Sequence, residues 1–321
     1  IDALVPVNFK RLWYFLCAWW FHQFSLLFDY NVSRFPLRLG QGLYLRKLLF
    51  VQELLSITWT VDPVAFELPF LDRGVRWYGI LFATAFLISY YFMDRMLKAE
   101  GMPSKWMDNL LLYMMVGTVV GARLGHVFFY DWDYYSQNLG QIPAIWQGGL
   151  ASHGATIGLV LACWLFARRV KKPTIYFLDR VALVAAVAAA SIRLGNLTNH
   201  EIIGLPSDAP WSFVFTLANV ADPMIPRHPA QLYEAFCYLI IFGILNILYW
   251  KRDWGKRSGA LLGMFLILLF TARFFVEFVK NSQGGFESSL GGLLSTGQWL
   301  SLPFILIGFY FLWASGKKKA A

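Results

Sequence analysis

The chain has 321 residues, of which 58% are hydrophobic and only 15% are charged, and its mean hydropathy is +0.50. This composition excludes an ordinary soluble domain and indicates a protein that crosses a membrane several times. The formal net charge of +9 would suit nucleic acid, but most lysines and arginines lie in short loops between apolar runs. That pattern is typical of cytoplasmic loops in membrane proteins, so we predict no nucleic-acid partner.

The first 50 residues are the least informative part of the chain. The apolar run 12–28 is short for a membrane span, and it is compatible with an interfacial helix, a true span or a non-native extension. The next segment, Leu54 to Phe70, alternates apolar and polar residues and contains two prolines, which is typical of short extended segments at a membrane surface. We therefore divide the chain into an N-terminal extension of uncertain origin, 1–50, and one transmembrane domain, 51–321.

From Trp77 onward, apolar runs alternate with polar connections and predict an all-α polytopic membrane protein with seven transmembrane helices. The first, third and fifth connections and the C-terminal tail are rich in Lys and Arg, whereas the second contains neither and the fourth contains only Arg227. By the positive-inside rule, the C-terminus is predicted to be cytoplasmic and the second and fourth connections to face outward. The predicted spans are Trp77–Met93, Leu110–Phe129, Leu150–Phe166, Ile175–Ile192, Leu232–Trp250, Ala260–Val279 and Trp299–Ala314.

Unusual polar residues gather at the span ends that are predicted to face outward. A charged side chain in or at the edge of the bilayer costs several kcal/mol, roughly 2.5 to 3.5 for Arg, unless it is paired, wetted or facing a cavity. Each residue alone has an ordinary explanation, such as pairing of Arg273 with Glu277 along one helix face. Because they all share one side, we predict a polar lipid cavity open to the outer leaflet. The main residues are Arg76, Tyr78, Arg123, His126, Ser152, His153, Arg193, Asn196, Asn199, Glu201, His228, Gln231, Tyr233, Glu234, Arg273 and Glu277.

The residue types narrow the chemistry of this predicted cavity. Three arginines offer paired donors that suit a phosphate better than a neutral solute, and a phosphate at headgroup depth indicates a phospholipid substrate. The sequence has no nucleophile motif and no paired Cys or His spacing, so we predict no covalent enzyme intermediate, no metal and no other cofactor. The arginines are Arg123, Arg193 and Arg273, and the residues able to move protons are His153, Glu201 and Glu277.

The stretch from Arg193 to Gly204, RLGNLTNHEIIG, resembles the defining motif of the bacterial prolipoprotein diacylglyceryl transferase family. Further matching blocks follow the family's order over roughly four fifths of the chain. The family pattern has Gly and Phe where this chain has Ile192 and Leu197, and a second Gly where it has Ala155. These replacements leave the polar groups in place. The further blocks are Arg76–Gly79, Gly121–Gly125, Gly148–Gly154, His228–Glu234, Arg273–Phe278 and Gly297–Ser301.

The resemblance implies an enzyme of the bacterial cytoplasmic membrane whose site faces outward. Its implied reaction transfers the diacylglyceryl group of phosphatidylglycerol to the thiol of the lipobox cysteine in a preprolipoprotein signal peptide, and releases glycerol phosphate. We expect Arg193 and Arg273 to hold the phosphate and His153 to be the base for the thiol, with Glu201 or Glu277 as alternatives. The other expected substrate-binding residues are Tyr78, Asn196, Asn199, Gly204, Gly154, Tyr233 and Arg123, the last with a purely structural role as its alternative.

Two other classes of function fit the same polar residues. A transporter or flippase for an anionic lipid or metabolite would need a similar cavity, and a scaffold protein would tolerate loss of the arginines without any change in lipid chemistry. Formation of a lipid-modified peptide distinguishes the transferase from both. The sequence leaves the oligomeric state open.

Overall fold

The computed structural model describes residues 56–68, 74–145, 148–280 and 293–317, so the predicted extension 1–50 lies outside the described residues. Most of the described chain is helical, which agrees with the predicted polytopic membrane protein. The helices are α1 Trp77–Ala99, α2 Lys105–Phe129, α3 Trp132–Gln137, α4 Ser152–Arg169, α5 Thr174–Thr198, α6 Ala230–Arg252, α7 Ala260–Val276 and α8 Thr296–Lys317. Short 3-10 turns cover Leu139–Gln141, Trp254–Lys256 and Glu277–Val279.

All seven predicted spans are helical, but within the described residues six helices are long and apolar enough to cross a membrane. The third predicted span, α4, is not among these six. Its 18 residues begin with Ser152 and His153 and end with Arg168 and Arg169, so that its average hydropathy is lower. The count of seven spans therefore stays a prediction. The observed helices also run past the predicted ends, because polar residues in the last turns still complete helical hydrogen bonds.

Helix α5 lies at the centre of the bundle. It packs against α1, α6, α7 and, less extensively, α4. In its most apolar 18-residue window 56% of the residues are buried, against at most 33% in the other candidate spans. The run from Val181 to Ala190 consists largely of Ala and Val, and such small side chains allow neighbouring helices to approach closely. The arrangement makes the end of α5 a meeting point for several helices.

Helices α2 and α4 touch through their glycines. A Cβ atom at Gly117 would lie 2.7 Å from the carbonyl oxygen of Gly158, and one at Gly125 would lie 2.7 Å from the Cα of Gly154. The spacing of four residues along each helix is the small-xxx-small pattern of membrane helix pairs. Gly154, a predicted substrate-binding residue, therefore has a packing function at this contact.

An apolar groove of about 580 Å³ runs along the same pair of helices. Its lining is almost entirely hydrophobic, so it differs from the polar cavity that the sequence predicts. Lining residues include Leu112, Val116, Val120, Phe128, Ile157 and Leu165.

Contacts between helix termini show which ends of the helices lie together. The start of α1 meets the end of α5, the end of α5 meets the start of α6, the end of α7 meets the start of α8, and the end of α2 meets the start of α4. We call this end of the bundle the site end. The contacts are Tyr78 with Gly195, Arg193 with Glu234, Glu277 with Gly297, and Gly125 with Gly154.

The opposite end contains the short connections rich in Lys and Arg. It is held by Glu100, whose carboxylate lies 2.6 Å from the guanidinium of the buried Arg180. The hydroxyl groups of Tyr176 and Tyr249 also donate to Glu100. This group of residues ties α1, α5 and α6 together at a distance from the site end, because each lies at the other terminus of its helix.

Two small sheets cover part of the site end. Strand β1 (Ile57–Trp59) pairs in parallel with β4 (Phe213–Phe215), and β2 (Val64–Phe66) pairs antiparallel with β3 (Val75–Arg76). The extended segments predicted before the first span are therefore confirmed where that region is described. The Nε1 of Trp59 donates to the carbonyl oxygen of Leu197 at 3.0 Å, so that β1 is fixed to the last turn of α5.

Candidate functional site

The turn after α5 has an unusual backbone. His200 and Ile202 both have positive φ angles, 54° and 58°. This conformation is uncommon for residues other than glycine, and a β-branched residue adopts it only where the surrounding structure enforces it. The buried ring of His200 provides that constraint, because its Nε2 lies 2.9 Å from the carbonyl oxygen of Val61 and its ring packs on Phe215. His200 is thus a residue of the packed core that shapes the turn.

The turn brings Glu201 back over the end of α5. The carboxylate of Glu201 accepts hydrogen bonds from Nδ2 of Asn196 and from Nδ2 of Asn199, both at 3.3 Å. Its backbone carbonyl accepts one from Nε2 of Gln231 at 2.5 Å. Glu201 itself is exposed. The structure therefore brings together three of the predicted site residues, with both amides oriented by one carboxylate.

Arg193 lies one turn before Asn196 and connects α5 to α6. Its Nε is 2.6 Å from Oε2 of Glu234, and its Nη1 donates to Oδ1 of Asn196 at 3.2 Å. Glu234 is fully buried, with 0% of its side chain exposed. A carboxylate at that depth is stable as an anion only with a cationic partner, so Arg193 and Glu234 hold each other in place.

The end of α7 supplies three more charged side chains. Lys280, which is 7% exposed, has its Nζ 3.6 Å from Oε2 of Glu277 and 3.9 Å from Oε1 of Glu234. The carboxylate of Glu277 lies against the first turn of α8, where a Cβ at Gly297 would be 2.5 Å from its carboxyl carbon. The buried Nε of Arg273 has no hydrogen-bond partner among the described residues.

These five side chains form one group, which we call the charged cluster: Arg193, Glu234, Arg273, Glu277 and Lys280. Burial lowers the pKa of Lys280 below its ordinary value; the two carboxylates act in the opposite direction, and the two guanidinium groups add to the lowering. Both arginines therefore lie close enough to influence the same buried ammonium group. Three cations and two carboxylates leave the cluster with one net positive charge when all are ionised.

The sequence-based prediction named Glu234 only among the polar residues at the outward span ends, and it did not include Lys280. Glu234 belongs to the block His228–Glu234, and Lys280 directly follows the sixth predicted span, but neither spacing shows that they meet. The ordinary pairing of Arg273 with Glu277 along one helix face does not occur, because no ion pair joins them in the described structure and the cation nearest Glu277 is Lys280. Only the packing of α5, α6 and α7 reveals these partners.

Arg123 has a different environment. It is 3% exposed, and its guanidinium donates to four backbone carbonyl groups of the connection after α3. It also lies over the ring of Tyr135, 5.0 Å from the ring centroid. This geometry supports the structural alternative for Arg123, because its donors are engaged by the protein. The four acceptors are the carbonyl oxygens of Gln141, Ile142, Gly148 and Gly149.

Tyr78 and Tyr233 have different neighbours in the structure. The ring of Tyr78 packs on Gly195, where a Cβ atom would be 2.6 Å from the ring. The hydroxyl of Tyr233 accepts from Nε1 of Trp211 at 2.9 Å and lies 3.1 Å from Nδ1 of His228. Burial lowers the pKa of His228, which favours the neutral ring that can accept a hydrogen bond from Tyr233.

Gly204 lies where three chain segments meet. Its backbone N–H donates to the carbonyl of His228 at 3.0 Å, and it forms an antiparallel bridge with Lys280. An added Cβ would be 2.5 Å from the carbonyl oxygen of His228 and 2.7 Å from that of Val279. Glycine is thus required for close backbone approach, and its predicted contact with substrate stays a prediction.

His153 is exposed in the first turn of α4, at the site end. No hydrogen bond or ion pair connects it to the charged cluster within the described ranges. Its predicted role as a base therefore depends on a substrate that reaches both places, and it stays a prediction.

Two kinds of comparison with known proteins, with a family model and with individual relatives, agree on one family. A family model described as prolipoprotein diacylglyceryl transferase matches residues 63–314. Relatives from Porphyromonas gingivalis and Chloroherpeton thalassium are 46% and 44% identical over 268 and 263 residues. The matches cover 80% and 82% of this chain and 93% and 95% of the relatives. A relative from Tolumonas auensis is 44% identical, over 82% of this chain and 98% of its own. All three are named phosphatidylglycerol–prolipoprotein diacylglyceryl transferase.

Proposed function

The chain belongs to the prolipoprotein diacylglyceryl transferase family, and we propose that its charged cluster is the place where phosphatidylglycerol reacts. The enzyme is a membrane transferase that moves the diacylglyceryl group of phosphatidylglycerol to a prolipoprotein, the first step of lipoprotein maturation. The names of the relatives do not favour a transporter. The observation that supports the location most strongly is that the buried Glu234 lies 2.6 Å from Arg193 of another helix and 3.9 Å from Lys280, which in turn lies 3.6 Å from Glu277.

The phosphate of phosphatidylglycerol binds between Arg193 and Arg273. Arg193 already uses its Nε and Nη1 within the protein, whereas the Nε of Arg273 is buried and free of a described partner. Arg273 therefore supplies the principal donors, and Arg193 supplies charge and its remaining N–H groups. The negative charge on the phosphate grows as the bond between glycerol carbon and phosphate oxygen breaks, and donors already in place stabilise that change.

The acceptor is the thiol of the lipobox cysteine. Its sulfur attacks the terminal carbon of the diacylglyceryl group, the carbon–sulfur bond forms, and the carbon–oxygen bond to phosphate breaks with its electron pair retained by the leaving glycerol phosphate. The thiol proton passes to His153, with Glu201 or Glu277 as the alternative acceptors. A thiol of pKa about 8.5 is already a few percent thiolate at neutral pH, so a base accelerates the reaction by only about 30-fold.

Most of the acceleration therefore comes from phosphate stabilisation and alignment of the two substrates. Asn196, Asn199 and Tyr78 orient the glycerol headgroup. Support for this comes from the amide side chains, which share the Glu201 carboxylate next to Arg193, and from the packing of Tyr78 on Gly195. Tyr233 and the backbone at Gly204 border the same region.

The charged cluster faces outward from the bacterial cytoplasmic membrane, in a cavity reached by both substrates. Support comes from the connections at the other end of the bundle, which contain Arg168, Arg169, Lys171 and Lys172 and are typical of a cytoplasmic side. Helix α4 is the seventh span, held to α2 through their glycines. The C-terminus is then cytoplasmic.

The test combines purified protein, phosphatidylglycerol vesicles and a synthetic lipobox peptide. The expected products are a peptide heavier by one diacylglyceryl group, joined through a thioether, and free glycerol phosphate. A peptide with serine in place of the lipobox cysteine is the control and should remain unmodified. Movement of lipid across the vesicle membrane without either product would instead identify a transporter.

A further inference from the structure

The backbone at Lys280 is hydrogen-bonded to a neighbouring segment of the site end. The residue before it, Val279, accepts a hydrogen bond from the N–H of Leu205 at 2.9 Å, and Lys280 itself bridges to Gly204. Its own N–H donates to the carbonyl of Glu277 at 3.3 Å. The backbone at Lys280 is thus held by the segment at Gly204 and by the turn that follows α7.

The ammonium group of Lys280 is buried but loosely paired. Its Nζ is 3.6 Å from Glu277 and 3.9 Å from Glu234, and both distances exceed those of N–H···O hydrogen bonds. An ammonium group has three N–H donors, and burial without hydrogen bonds is costly. The nearest carboxylate atoms, Oε1 of Glu234 and Oε2 of Glu277, are also buried without a hydrogen bond in the described structure. Such an arrangement suits an anionic ligand that would accept from Lys280.

The charge of the cluster depends on this residue. Without Lys280, the two arginines would be balanced by the two buried glutamates, and the cluster would be neutral. With Lys280 it has one net positive charge, equal and opposite to the single charge of a phosphodiester. Glu201 does not alter this balance strongly, because it is exposed to solvent and bound by two amides.

We propose that Lys280 is the specificity-determining residue for the anionic headgroup: it gives the cluster its net positive charge and donates to the lipid phosphate. This inference rests on the proposed function and adds a third cation to the two arginines. Glu234 and Glu277 then act as positioning residues, since they hold Arg193 and Lys280 while leaving the ammonium donors free for the phosphate.

The test uses the full-length protein with Lys280→Gln and Lys280→Met as neutral variants and Lys280→Arg as the charged one. Because a charge-assisted hydrogen bond would be lost, both neutral variants should raise the KM for phosphatidylglycerol about 10- to 100-fold, with a smaller change in kcat. Inhibition by glycerol phosphate should weaken by a similar factor. Lys280→Arg should keep the KM for phosphatidylglycerol and the inhibition by glycerol phosphate close to their native values. Lys256→Met is the matched control, because that lysine is 80% exposed at the opposite end.

A pH titration of the native protein tests the same inference without a neutral substitution at Lys280. Arg193, Arg273, Glu234 and Glu277 all act on Lys280, and burial lowers its pKa from the ordinary lysine range. The ammonium charge is present below that pKa and lost above it, so inhibition by glycerol phosphate should weaken as the pH rises toward that of lysine ionisation. In Lys280→Arg the inhibition should stay constant over the same range, because a guanidinium does not titrate there.

The possible outcomes distinguish failure of the proposed function from failure of the inference on Lys280. If the native protein forms no lipid-modified peptide, the proposed function itself fails. If the native protein is active but both neutral variants keep the native KM and inhibition, only the inference on Lys280 is overturned. If the neutral variants do not fold, a native pH titration with unchanged inhibition overturns it equally.

Discussion

The Nε of Arg193 lies 2.6 Å from Oε2 of Glu234, a carboxylate with no exposed surface. The contact joins α5 to α6 through an arginine of the family motif. Removing one partner of a buried ion pair leaves the other charge without compensation. The position of Arg193 therefore depends on a residue from another helix.

Glu234→Gln should reduce both activity and stability. The amide keeps the size of the side chain but leaves Arg193 and Lys280 without their shared carboxylate, a loss of about 3–5 kcal/mol for a buried pair. Thermal unfolding in detergent and kcat for peptide modification are the measurements. Glu67→Gln, which changes an exposed glutamate, is the control. Unchanged unfolding and unchanged kcat in Glu234→Gln would show that the pair has no such function.

Arg273→Lys should lose at least about 100-fold in kcat, as expected when a preorganised donor is removed from a charge-stabilising site. Lysine keeps the charge but lacks the planar paired donors that suit a phosphate. Initial rates with saturating peptide measure the effect. Arg252→Lys, at an exposed position on the opposite end of α6, should retain native rates. Native turnover by Arg273→Lys would contradict the role of the guanidinium.

Gly297→Ala should reduce activity with little change in stability. The new Cβ would lie 2.5 Å from the carboxyl carbon of Glu277, and this flexible side-chain end is able to move away while the backbone stays in place. Displacement of Glu277 would remove a neighbour of Lys280. Gly243→Ala is the control, because a Cβ atom added at Gly243 would have no neighbouring atom within 4 Å. If both variants have native activity, the position of Glu277 is unimportant.

His153→Gln should slow the reaction most at neutral pH and progressively less as the pH approaches that of thiol ionisation. The reason is that solvent forms the thiolate at higher pH without help, so the deficit of a missing base is at most about 30-fold at pH 7 and then disappears. A series of kcat values between about pH 7 and 9, which brackets the ordinary thiol pKa, provides the test. A deficit independent of pH would exclude His153 as the base, and the same series with Glu201→Gln examines the alternative.

The helices were predictable because each long apolar run must form its backbone hydrogen bonds internally within a membrane. All seven predicted runs are helical, and the differences occur at their ends. Helix α4 is harder to predict as a membrane span, since Ser152, His153 and two terminal arginines lower its apolarity. Its glycine contact with α2 depends on how the two helices pack, so the sequence of either helix alone does not predict it.

The site was predictable only in part. Asn196, Asn199 and Glu201 are close in sequence, at the end of α5 and in the turn after it, so their contact follows from local geometry. Glu234 lies on α6 and Lys280 follows the turn after α7, and linear spacing contains no information on which cation faces which carboxylate. Arg123 illustrates the reverse case, because an arginine beside a bilayer suggests a ligand although its donors bind backbone carbonyls.

We propose that Arg193 and Arg273 bind one phosphate together, and a structure determined with bound phosphatidylglycerol would show whether they do. We expect phosphate oxygens about 2.7–3.0 Å from guanidinium nitrogens of both arginines, the range of charge-assisted hydrogen bonds. A lipid phosphate bound elsewhere, with neither arginine in contact and the charged cluster empty, would show that the charged cluster is not the phosphate site.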